Sequence, residues 1–283
     1  MTLVTEIVPA AALQKIAALD EVNTFVFDMD GTLLNDEHVI SPQNLRALHA
    51  LRERGFNLVI ATGRHVNDVQ FHLQQLGGNI ATITCNGATI HDRNGKLIYR
   101  EGLPLLVNQT LLPLAAQFNV NLNMFTDSEW LTIAPCAAML DAHEQTQFFY
   151  RQIDLQEMIA TPALKILFYG ENAELQKLKA QILKDHSLEI NLTFSDDCYL
   201  EVMQKNISKG NALNVLLEKL SLSVDKAMAF GDGLNDVELF RTVAHPVVME
   251  NAGNTLKQLF PHAHRAQKNH PDGVAKFLFD YIL

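Results

Sequence analysis

Two carboxylates separated by one residue stand at the end of an apolar run near the start of the chain. The run Phe25-Val26-Phe27 is aromatic and β-branched, which favours a buried strand, and Asp28-Met29-Asp30-Gly31-Thr32 follows it directly. Because side chains alternate along a strand, Asp28 and Asp30 could point the same way, where like charges repel unless a cation or proton lies between them. Oxygen ligands of this kind favour Mg²⁺, so the segment predicts a magnesium site; a turn with two solvated carboxylates is the alternative.

A second acidic cluster follows another apolar run late in the chain. Ala227-Met228-Ala229-Phe230 reads as a buried strand and leads into Gly231-Asp232-Gly233-Leu234-Asn235-Asp236. Carboxylates and amides crowded behind a buried strand are costly unless a cation or hydrogen-bond donors satisfy them. Asp232 is therefore a second candidate metal ligand. A plain Asx turn is one alternative; a calcium loop is another, but the spacing lacks the glutamate that ends an EF-hand loop.

Two further segments could bind a phosphate group. Thr62-Gly63-Arg64 follows the apolar strand predicted over 56–61, and a hydroxyl with free amides at a helix start suits a phosphoryl oxygen. Lys209 lies in Ser208-Lys209-Gly210 at the start of a predicted helix, where the helix dipole disfavours a cation. A lysine that binds a phosphate group could occupy this position despite its unfavourable interaction with the helix dipole. An ordinary turn at Thr62 and a solvated lysine at position 209 are the alternatives.

The elements that position these residues alternate between strand and helix with short links. After the first strand, Ser41-Pro42 predicts a helix start and Gly55 its end, and the next helix spans about 67–76 before a strand at 80–84. This order predicts right-handed βαβ units around a parallel sheet. Each strand ends in a polar or glycine-containing turn, as expected for a ligand crevice at the carboxyl edge of such a sheet.

The middle of the chain has a different pattern of predicted secondary structure. Asn94-Gly95 lies between two short strands and predicts a hairpin, and more strand pairs follow with helices at about 105–118 and 174–183. A chain of 283 residues exceeds what one core usually fills. We therefore expect a discontinuous core domain of residues 1–87 and 205–283, interrupted by a second domain of residues 88–204.

The order of the four motifs resembles the haloacid dehalogenase superfamily of aspartate-nucleophile phosphohydrolases. Its motifs are matched by Asp28-Met29-Asp30-Gly31-Thr32, by Thr62, by Lys209 and by Gly231-Asp232-Gly233-Leu234-Asn235-Asp236. The position, length and hairpins of the insert resemble the C2-type (C2B) cap of the Cof-type branch. The resemblance implies an α/β fold: a Rossmann-like, doubly wound parallel-sheet core with an inserted α/β cap domain.

The resemblance also implies a role for each matched residue. Asp28 would be the nucleophile and Asp30 the general acid/base, while Thr62 and Lys209 would hold the phosphoryl group. Mg²⁺ would be bound by Asp28, by the backbone carbonyl of Asp30 and by Asp232. Asn235 and Asp236 would orient these ligands and water. Candidate substrate-binding residues are Gly63, Arg64, Asn86, Gly87 and Lys165. For Lys165 the alternative is that its stem packs while its ammonium group reaches solvent.

The implied activity is Mg²⁺-dependent removal of phosphate from a small phosphorylated metabolite through an aspartyl-phosphate. A sugar phosphate, a nucleotide-like compound or a cofactor precursor such as hydroxymethylpyrimidine pyrophosphate would be the substrate, and the cap would select the leaving group. A phosphotransferase or phosphomutase on the same scaffold is the alternative. A phosphate- or metal-responsive regulator without turnover is a third hypothesis, from another class of protein.

The composition and net charge of the chain limit the kinds of binding partner and the cellular compartment that we expect. A net charge of −10 without a basic stripe disfavours nucleic acid, and no apolar run approaches the ~20 residues that span a bilayer. The three cysteines, Cys85, Cys136 and Cys198, lack CxxC spacing, which indicates reduced thiols in a cytoplasmic protein. We expect a monomer or weak homo-oligomer, a short helix between Pro9 and Leu19, and no signal peptide.

Overall fold

The computed structural model describes residues 18–283, which form two β-sheets with helices packed against them. Nearly all of the helix expected between Pro9 and Leu19 lies outside the described residues. Strands and helices are numbered separately along the chain. The first sheet has the order β14-β13-β12-β1-β2-β3-β4-β5. Its strands are β1 (Thr24–Phe27), β2 (Asn57–Ala61), β3 (Ala81–Thr84), β4 (Thr89–His91), β5 (Leu97–Arg100), β12 (Ala227–Gly231), β13 (His245–Met249) and β14 (His264–Ala266).

Strand β1 lies between β2 and β12 and is parallel to both. Its register aligns Phe27 with Ile60 of β2 and with Phe230 of β12. The three strands therefore end at the same edge of the sheet, where Asp28, Thr62 and Asp232 follow them. This alignment of strand ends brings the predicted site residues together.

Helices cover both faces of the first sheet, which confirms the doubly wound α/β core. Strand β1 is buried on both sides, with Phe25 and Phe27 in one apolar cluster and Val26 in the other. Helix α1 begins where predicted, because the Ser41 side chain accepts a hydrogen bond from the Asn44 amide. One face carries α1 (Pro42–Glu53), α2 (Val66–Gln75) and α9 (Gly273–Tyr281), and the other carries α6 (Lys209–Leu220), α7 (Val237–Thr242) and α8 (Asn254–Leu259).

The second sheet has the order β10-β11-β9-β6-β7-β8 and is mostly antiparallel. Its strands are β6 (Asn121–Phe125), β7 (Trp130–Thr132), β8 (Tyr150–Gln152), β9 (Lys165–Tyr169), β10 (Ile190–Asp196) and β11 (Tyr199–Gln204). One face packs against α3 (Leu105–Ala115), α4 (Leu155–Ala160) and α5 (Asn172–Ile182). On the other face Phe125, Trp130 and Met203 pack with Cys85 and Ala88, which follow β3 of the first sheet.

The predicted Asn94-Gly95 hairpin forms, but it extends the first sheet rather than the second. Strand β4 pairs antiparallel with β3, aligning Thr89 with Thr84. Only the short turn Cys85–Gly87 and Ala88 separate the two strands, so the chain folds straight back onto the strand that it has just left. The hairpin lies within residues 88–204, where the sequence analysis expected it to belong to the second domain, but its strands pair with the first sheet. The domain boundaries stay a prediction.

Four short elements were not predicted: strands β8 and β14 and helices α4 and α8. Each spans between three and six residues, too few for a periodic pattern to be recognised in the sequence. The two strands form through pairing with β7 and β13, which no local pattern reveals. Within residues 18–283, no helix combines the length and apolar character needed to cross a membrane.

Gly210 should be essential for the packing of α6 against α7. A Cβ atom at this position would lie 2.2 Å from the backbone oxygen of Glu238. We expect Gly210→Ala to lower the free energy of unfolding by about 1–3 kcal/mol, because backbone on both sides must shift. Urea unfolding would measure the change, with Gly253→Ala as the control, since no heavy atom lies within 4 Å of a Cβ at Gly253. Equal unfolding midpoints for the two variants would contradict this packing.

Candidate active site

A fully buried lysine lies at the centre of the site. Lys209, the first residue of α6, has no exposed surface, and its Nζ lies 2.7 Å from Asp28 Oδ1 and 2.8 Å from Asp236 Oδ1. Burial acts to lower the pKa of Lys209, but the carboxylates of Asp236 and Asp28 raise it above its usual value. The ammonium group is thus held charged between two acids. The alternative of a solvated lysine is wrong.

Asp28 presents one engaged and one unengaged carboxylate oxygen. Its Oδ1 accepts hydrogen bonds from the Met29 amide at 2.7 Å and from Lys209. Its Oδ2 accepts none from residues 18–283. Burial and the neighbouring Asp236 raise the pKa of Asp28 well above its ordinary value, although Lys209 opposes them. The free oxygen is therefore available for a bond to substrate or to a cation.

The loop after β12 is shaped by Asp236. Its Oδ2 accepts hydrogen bonds from the amides of Asp232 and Gly233, both at 3.0 Å, while its Oδ1 contacts Lys209. Asp232 in turn accepts from the Thr32 hydroxyl at 2.8 Å and from Asn251 Nδ2 at 3.2 Å. Burial and the proximity of Asp236 raise the pKa of Asp232 to about 7. Asp236 therefore orients the loop with both of its oxygens already in use.

A close approach between two loops requires the glycine of the first motif. Gly31 adopts φ +69°, and a Cβ there would lie 2.1 Å from Asp232 Oδ2. Asn251 Nδ2 spans the same contact, since it donates to the Gly31 carbonyl at 2.7 Å as well as to Asp232. The loops after β1 and β12 are thus held against each other, although about 200 residues separate them in sequence.

The donor set fits a hard divalent cation. One oxygen each of Asp28, Asp232 and Asp236 lies within 4.8 Å of the other two. A single lysine cannot neutralise three carboxylates, and burial together with repulsion from Asp236 raises the pKa values of both Asp28 and Asp232. Asp236 is fully buried and is held by Lys209 and two backbone amides. Asp28 keeps one oxygen without a protein donor, and Asp232 is only partly buried and accepts one neutral hydrogen bond on each oxygen, so these two carboxylates are the better candidates to bind an ion. Oxygen ligands of this kind suit Mg²⁺.

The Asp30 carboxylate turns away from that cluster towards Arg64. The guanidinium donates from Nε to Oδ2 at 2.8 Å and from Nη2 to Oδ1 at 2.7 Å. Partial burial acts to raise the pKa of Asp30, but Arg64, helped by His38, holds it well below its usual value. Arg64 also donates to Asp68 at 2.9 Å and to the Ala142 carbonyl at 3.0 Å. Both carboxylate oxygens of Asp30 are thus engaged by Arg64, which agrees with the resemblance in leaving only its main-chain carbonyl as a candidate metal ligand.

The remaining predicted residues lie at the ends of β2 and β3. Thr62 is fully buried, and its Oγ1 accepts a hydrogen bond from the Arg64 amide at 3.1 Å. The backbone amide of Asn86 donates to the Thr62 carbonyl at 3.0 Å. The side-chain oxygen of Asn86, Oδ1, accepts from Asn235 Nδ2 at 3.1 Å. Gly87, at φ +107°, approaches the carbonyl of Ser208, just before Lys209. The structure therefore gathers these segments around Asp28.

The structure excludes one alternative of the sequence analysis and adds four residues at the site that were not predicted. Lys165 is only 3% exposed, so the alternative that its ammonium group reaches solvent is wrong. The missed residues contact the predicted ones directly: Thr32, His38, Glu201 and Asn251. Two of them carried a signal. Glu201 is a single charge inside an apolar strand, and Asn251 follows the carboxyl end of β13 as the other site residues follow their strands.

A buried acid–lysine cluster at the carboxyl edge of a doubly wound sheet, beneath a second sheet, belongs to an enzyme of the phosphatase class. The family model of the haloacid dehalogenase-like hydrolases matches residues 25–278, and the chain belongs to this family. This confirms the family and the enzyme class that the four motifs predicted.

Relatives with known names and structures agree with this assignment. The chain is 36% identical over 257 residues to an HMP-PP phosphatase of Serratia proteamaculans, covering 90% of this chain and 94% of the relative. It is also 34% identical over 256 residues to an HMP-PP phosphatase of Citrobacter koseri, covering 90% and 94%. Among solved structures, a haloacid dehalogenase-like hydrolase from B. subtilis matches with a TM-score of 0.82 at 26% identity, covering 93% of this chain and 100% of that one.

Proposed function

We propose that the protein removes phosphate from a small phosphorylated metabolite, with Asp28 as the nucleophile and Mg²⁺ as the cofactor. The observation that carries this proposal is the state of the Asp28 carboxylate: Oδ1 is fixed by Lys209 and Met29, while Oδ2 is free of protein donors. A buried carboxylate that is oriented through one oxygen has the other aimed for reaction. Asp28 also follows the carboxyl end of β1, the edge at which open parallel sheets bind their ligands, which supports this role.

In the first step, Asp28 Oδ2 would form a bond to phosphorus while the ester bond to the leaving group breaks. The product is an aspartyl-phosphate, and the departing oxygen takes a proton from Asp30. In the second step, water attacks phosphorus, the Asp28–phosphorus bond breaks, and the water proton passes to Asp30. The first step needs Asp30 in its protonated form, and the second step restores that proton from water. Arg64 favours the ionised form of Asp30, so its contact suits the proton-accepting half of the cycle and would have to loosen for the proton-donating half.

Charge neutralisation is the main task of such a site, because nucleophile and substrate are both anionic. Lys209 would neutralise part of this charge at Asp28, and the Thr62 hydroxyl with nearby amides would bind phosphoryl oxygens. Asp28, Asp232 and the Asp30 carbonyl would hold Mg²⁺. When bound, the ion supplies positive charge that lowers the repulsion between the Asp28 carboxylate and the phosphoryl group.

We further propose that residues 88–204 form a cap over a core of residues 1–87 and 205–283. Hairpin β4–β5 is the exception within this range, because its strands belong to the core sheet. The face of the second sheet that carries Lys165 and Glu201 lies against the site, so it is the surface that would choose the leaving group. The relatives named HMP-PP phosphatases, at 36% and 34% identity over most of the chain, make hydroxymethylpyrimidine pyrophosphate the first candidate substrate.

A screen of phosphorylated metabolites tests this proposal. Purified protein with Mg²⁺ would be assayed for phosphate release from hydroxymethylpyrimidine pyrophosphate, sugar phosphates, nucleotides and a generic aryl phosphate. We expect hydrolysis of several compounds, with the highest kcat/KM for the pyrimidine pyrophosphate. Phosphate release from a different compound, and not from the pyrimidine pyrophosphate, would change the proposed substrate but leave the proposed mechanism intact. Failure to release phosphate from any compound would contradict both.

Magnesium should stabilise the protein more strongly as pH rises through about 7. Without metal, the folded Asp232 carboxyl keeps its proton up to about pH 7, whereas its ordinary pKa is 3.8. The metal-free fold therefore binds more protons than the unfolded chain and loses stability as pH rises. Mg²⁺ competes with that proton, so its affinity should grow over the same range. At a hundredfold excess over Kd the gain would reach about 2.7 kcal/mol.

Thermal unfolding at about pH 6 and about pH 8, with and without Mg²⁺, would measure this effect. Asp232→Asn provides the control, because it removes both the titrating group and a proposed ligand. We expect that variant to show little Mg²⁺-dependent shift in Tm at either pH. An equal shift for the native protein at both pH values would show that Asp232 does not bind the ion.

A further inference from the structure

Glu201 is a buried charge with no part in the chemistry described above. It lies in β11 with 3% of its surface exposed. Its neighbours Leu200 and Val202 pack into the apolar cluster beneath the helices of the second sheet. Because side chains alternate along a strand, Glu201 points to the opposite face, towards the first sheet. A buried carboxylate is costly unless it is well paired, so its partners indicate what it does.

Three segments converge on this carboxylate. Lys165 Nζ of β9 lies 3.0 Å from Oε2, and the Ser195 hydroxyl of β10 donates to Oε1 at 2.7 Å. The third partner is Asn86 Nδ2, which belongs to the turn after β3 of the first sheet. Glu201 therefore joins the second sheet to the turn that borders the site.

Lys165 extends this link to the phosphate-binding turn. Its Nζ donates to the Gly63 carbonyl at 2.8 Å and lies 4.7 Å from the ring centroid of Phe125. With Glu201, these contacts surround the ammonium group with protein. Lys165 thus fixes the main chain between Thr62 and Arg64, and a role in positioning fits its surroundings better than direct contact with substrate.

Asn86 extends the link to the loop after β12. A carboxylate only accepts hydrogen bonds, so Glu201 holds the NH₂ end of the Asn86 amide towards itself. The carbonyl end then accepts from Asn235 Nδ2 at 3.1 Å. A flipped amide would set oxygen against oxygen at Glu201 and NH₂ against NH₂ at Asn235. The orientation of one amide therefore depends on Glu201 and is transmitted to the loop that carries Asp232.

We propose that Glu201, together with Lys165, is a positioning residue for the active site. The pair holds the Gly63 carbonyl from one side and the Asn86 amide from the other. The turn Thr62–Arg64 and the loop of Asp232 thereby keep a fixed spacing around Asp28. This inference rests on the proposed function, since it assigns those two segments to phosphate and metal. Loss of the Glu201–Lys165 pair should lower kcat more than it raises KM, because the spacing of the two segments matters most in the transition state.

A double-mutant cycle in kcat separates positioning from stability. We expect Glu201→Gln and Lys165→Met each to lower kcat on an aryl phosphate by about 10- to 100-fold. The double variant should be no slower than the slower single variant, because both act through one pair. It should nevertheless unfold at a higher urea concentration than either single variant, since no unpaired charge remains buried. If kcat recovers together with stability, the pair is only structural and the proposal is wrong.

Glu189→Gln is the matched control, because Glu189 pairs with Lys205 at 2.6 Å beside the same β-hairpin but is exposed. Its kcat should equal that of the native protein. A readout independent of activity is the side-chain amide signal of Asn235 in ¹⁵N–¹H spectra. It should shift in Glu201→Gln and stay in place in Glu189→Gln. An unmoved signal, or an unchanged kcat in Glu201→Gln, would overturn the proposal, whereas an inactive native protein would refute the proposed function alone.

Discussion

Replacing Asp28 with asparagine should abolish phosphate release while leaving the protein folded and more stable. The amide oxygen can still accept hydrogen bonds from Lys209 and Met29, but the other position becomes an NH₂ group that cannot attack phosphorus. We expect kcat to fall by about 10⁴-fold or more. Because burial and Asp236 already raise the pKa of Asp28, removing its charge should raise the urea midpoint of the metal-free protein.

The opposite signs of the two effects make this prediction specific. Asp36→Asn offers a matched control, since Asp36 is exposed in the turn that follows the first motif, and it should change neither activity nor stability. Phosphate release and urea unfolding would be measured on both variants. Turnover by Asp28→Asn close to the native rate would remove Asp28 as the nucleophile. Loss of turnover with loss of folding would mean that the carboxylate is needed for structure.

Replacing Lys209 with methionine should cost both activity and stability. Methionine fills similar space but leaves Asp28 and Asp236 buried without the cation that lies 2.7 and 2.8 Å from them. Breaking a buried ion pair from one side destabilises by about 3–5 kcal/mol. Loss of a charged group beside the reacting carboxylate should lower kcat by about 10²- to 10³-fold.

The pH dependence of the Lys209→Met variant follows from Asp28. Lys209 opposes the raised pKa of Asp28, so its removal should raise that pKa further. The folded variant then keeps a proton that the unfolded chain releases, and its stability should fall as pH rises towards neutrality. Urea midpoints across this range would measure the slope, with Lys219→Met, exposed on the same helix, as the control. A flat, native-like profile would contradict the placement of Lys209 between the two acids.

Local sequence patterns were enough to place the predicted site residues at one edge of the first sheet. Each motif stands directly after a recognisable strand or at a helix start, and parallel strands that align in register bring their ends together. Lys209 and Asp28 meet for this reason, although many residues separate them. The parallel α/β sheet was predictable on the same basis, because the strand–helix alternation leaves few ways to bury both faces of the sheet, and the family resemblance implied that it is doubly wound.

The direction of several side chains was decided only by packing between distant segments. The sequence placed Asp28 and Asp30 on one side, but Asp30 turns to Arg64, which is 34 residues away. Lys165 could reach solvent or substrate in sequence terms, but the second sheet buries it against Glu201 and Gly63. Asn86 and Glu201 are 115 residues apart, and nothing local to either residue specifies that contact.

The sequence by itself therefore determined which residues are candidates for the chemistry and which strand ends they follow, because the alternation of strands and helices is a local property of the chain. The tertiary structure alone decided how those residues are oriented and which partners set their charge. Orientation depends on the registry between two sheets, and the balance of burial against neighbouring charge exists only once distant segments have packed together.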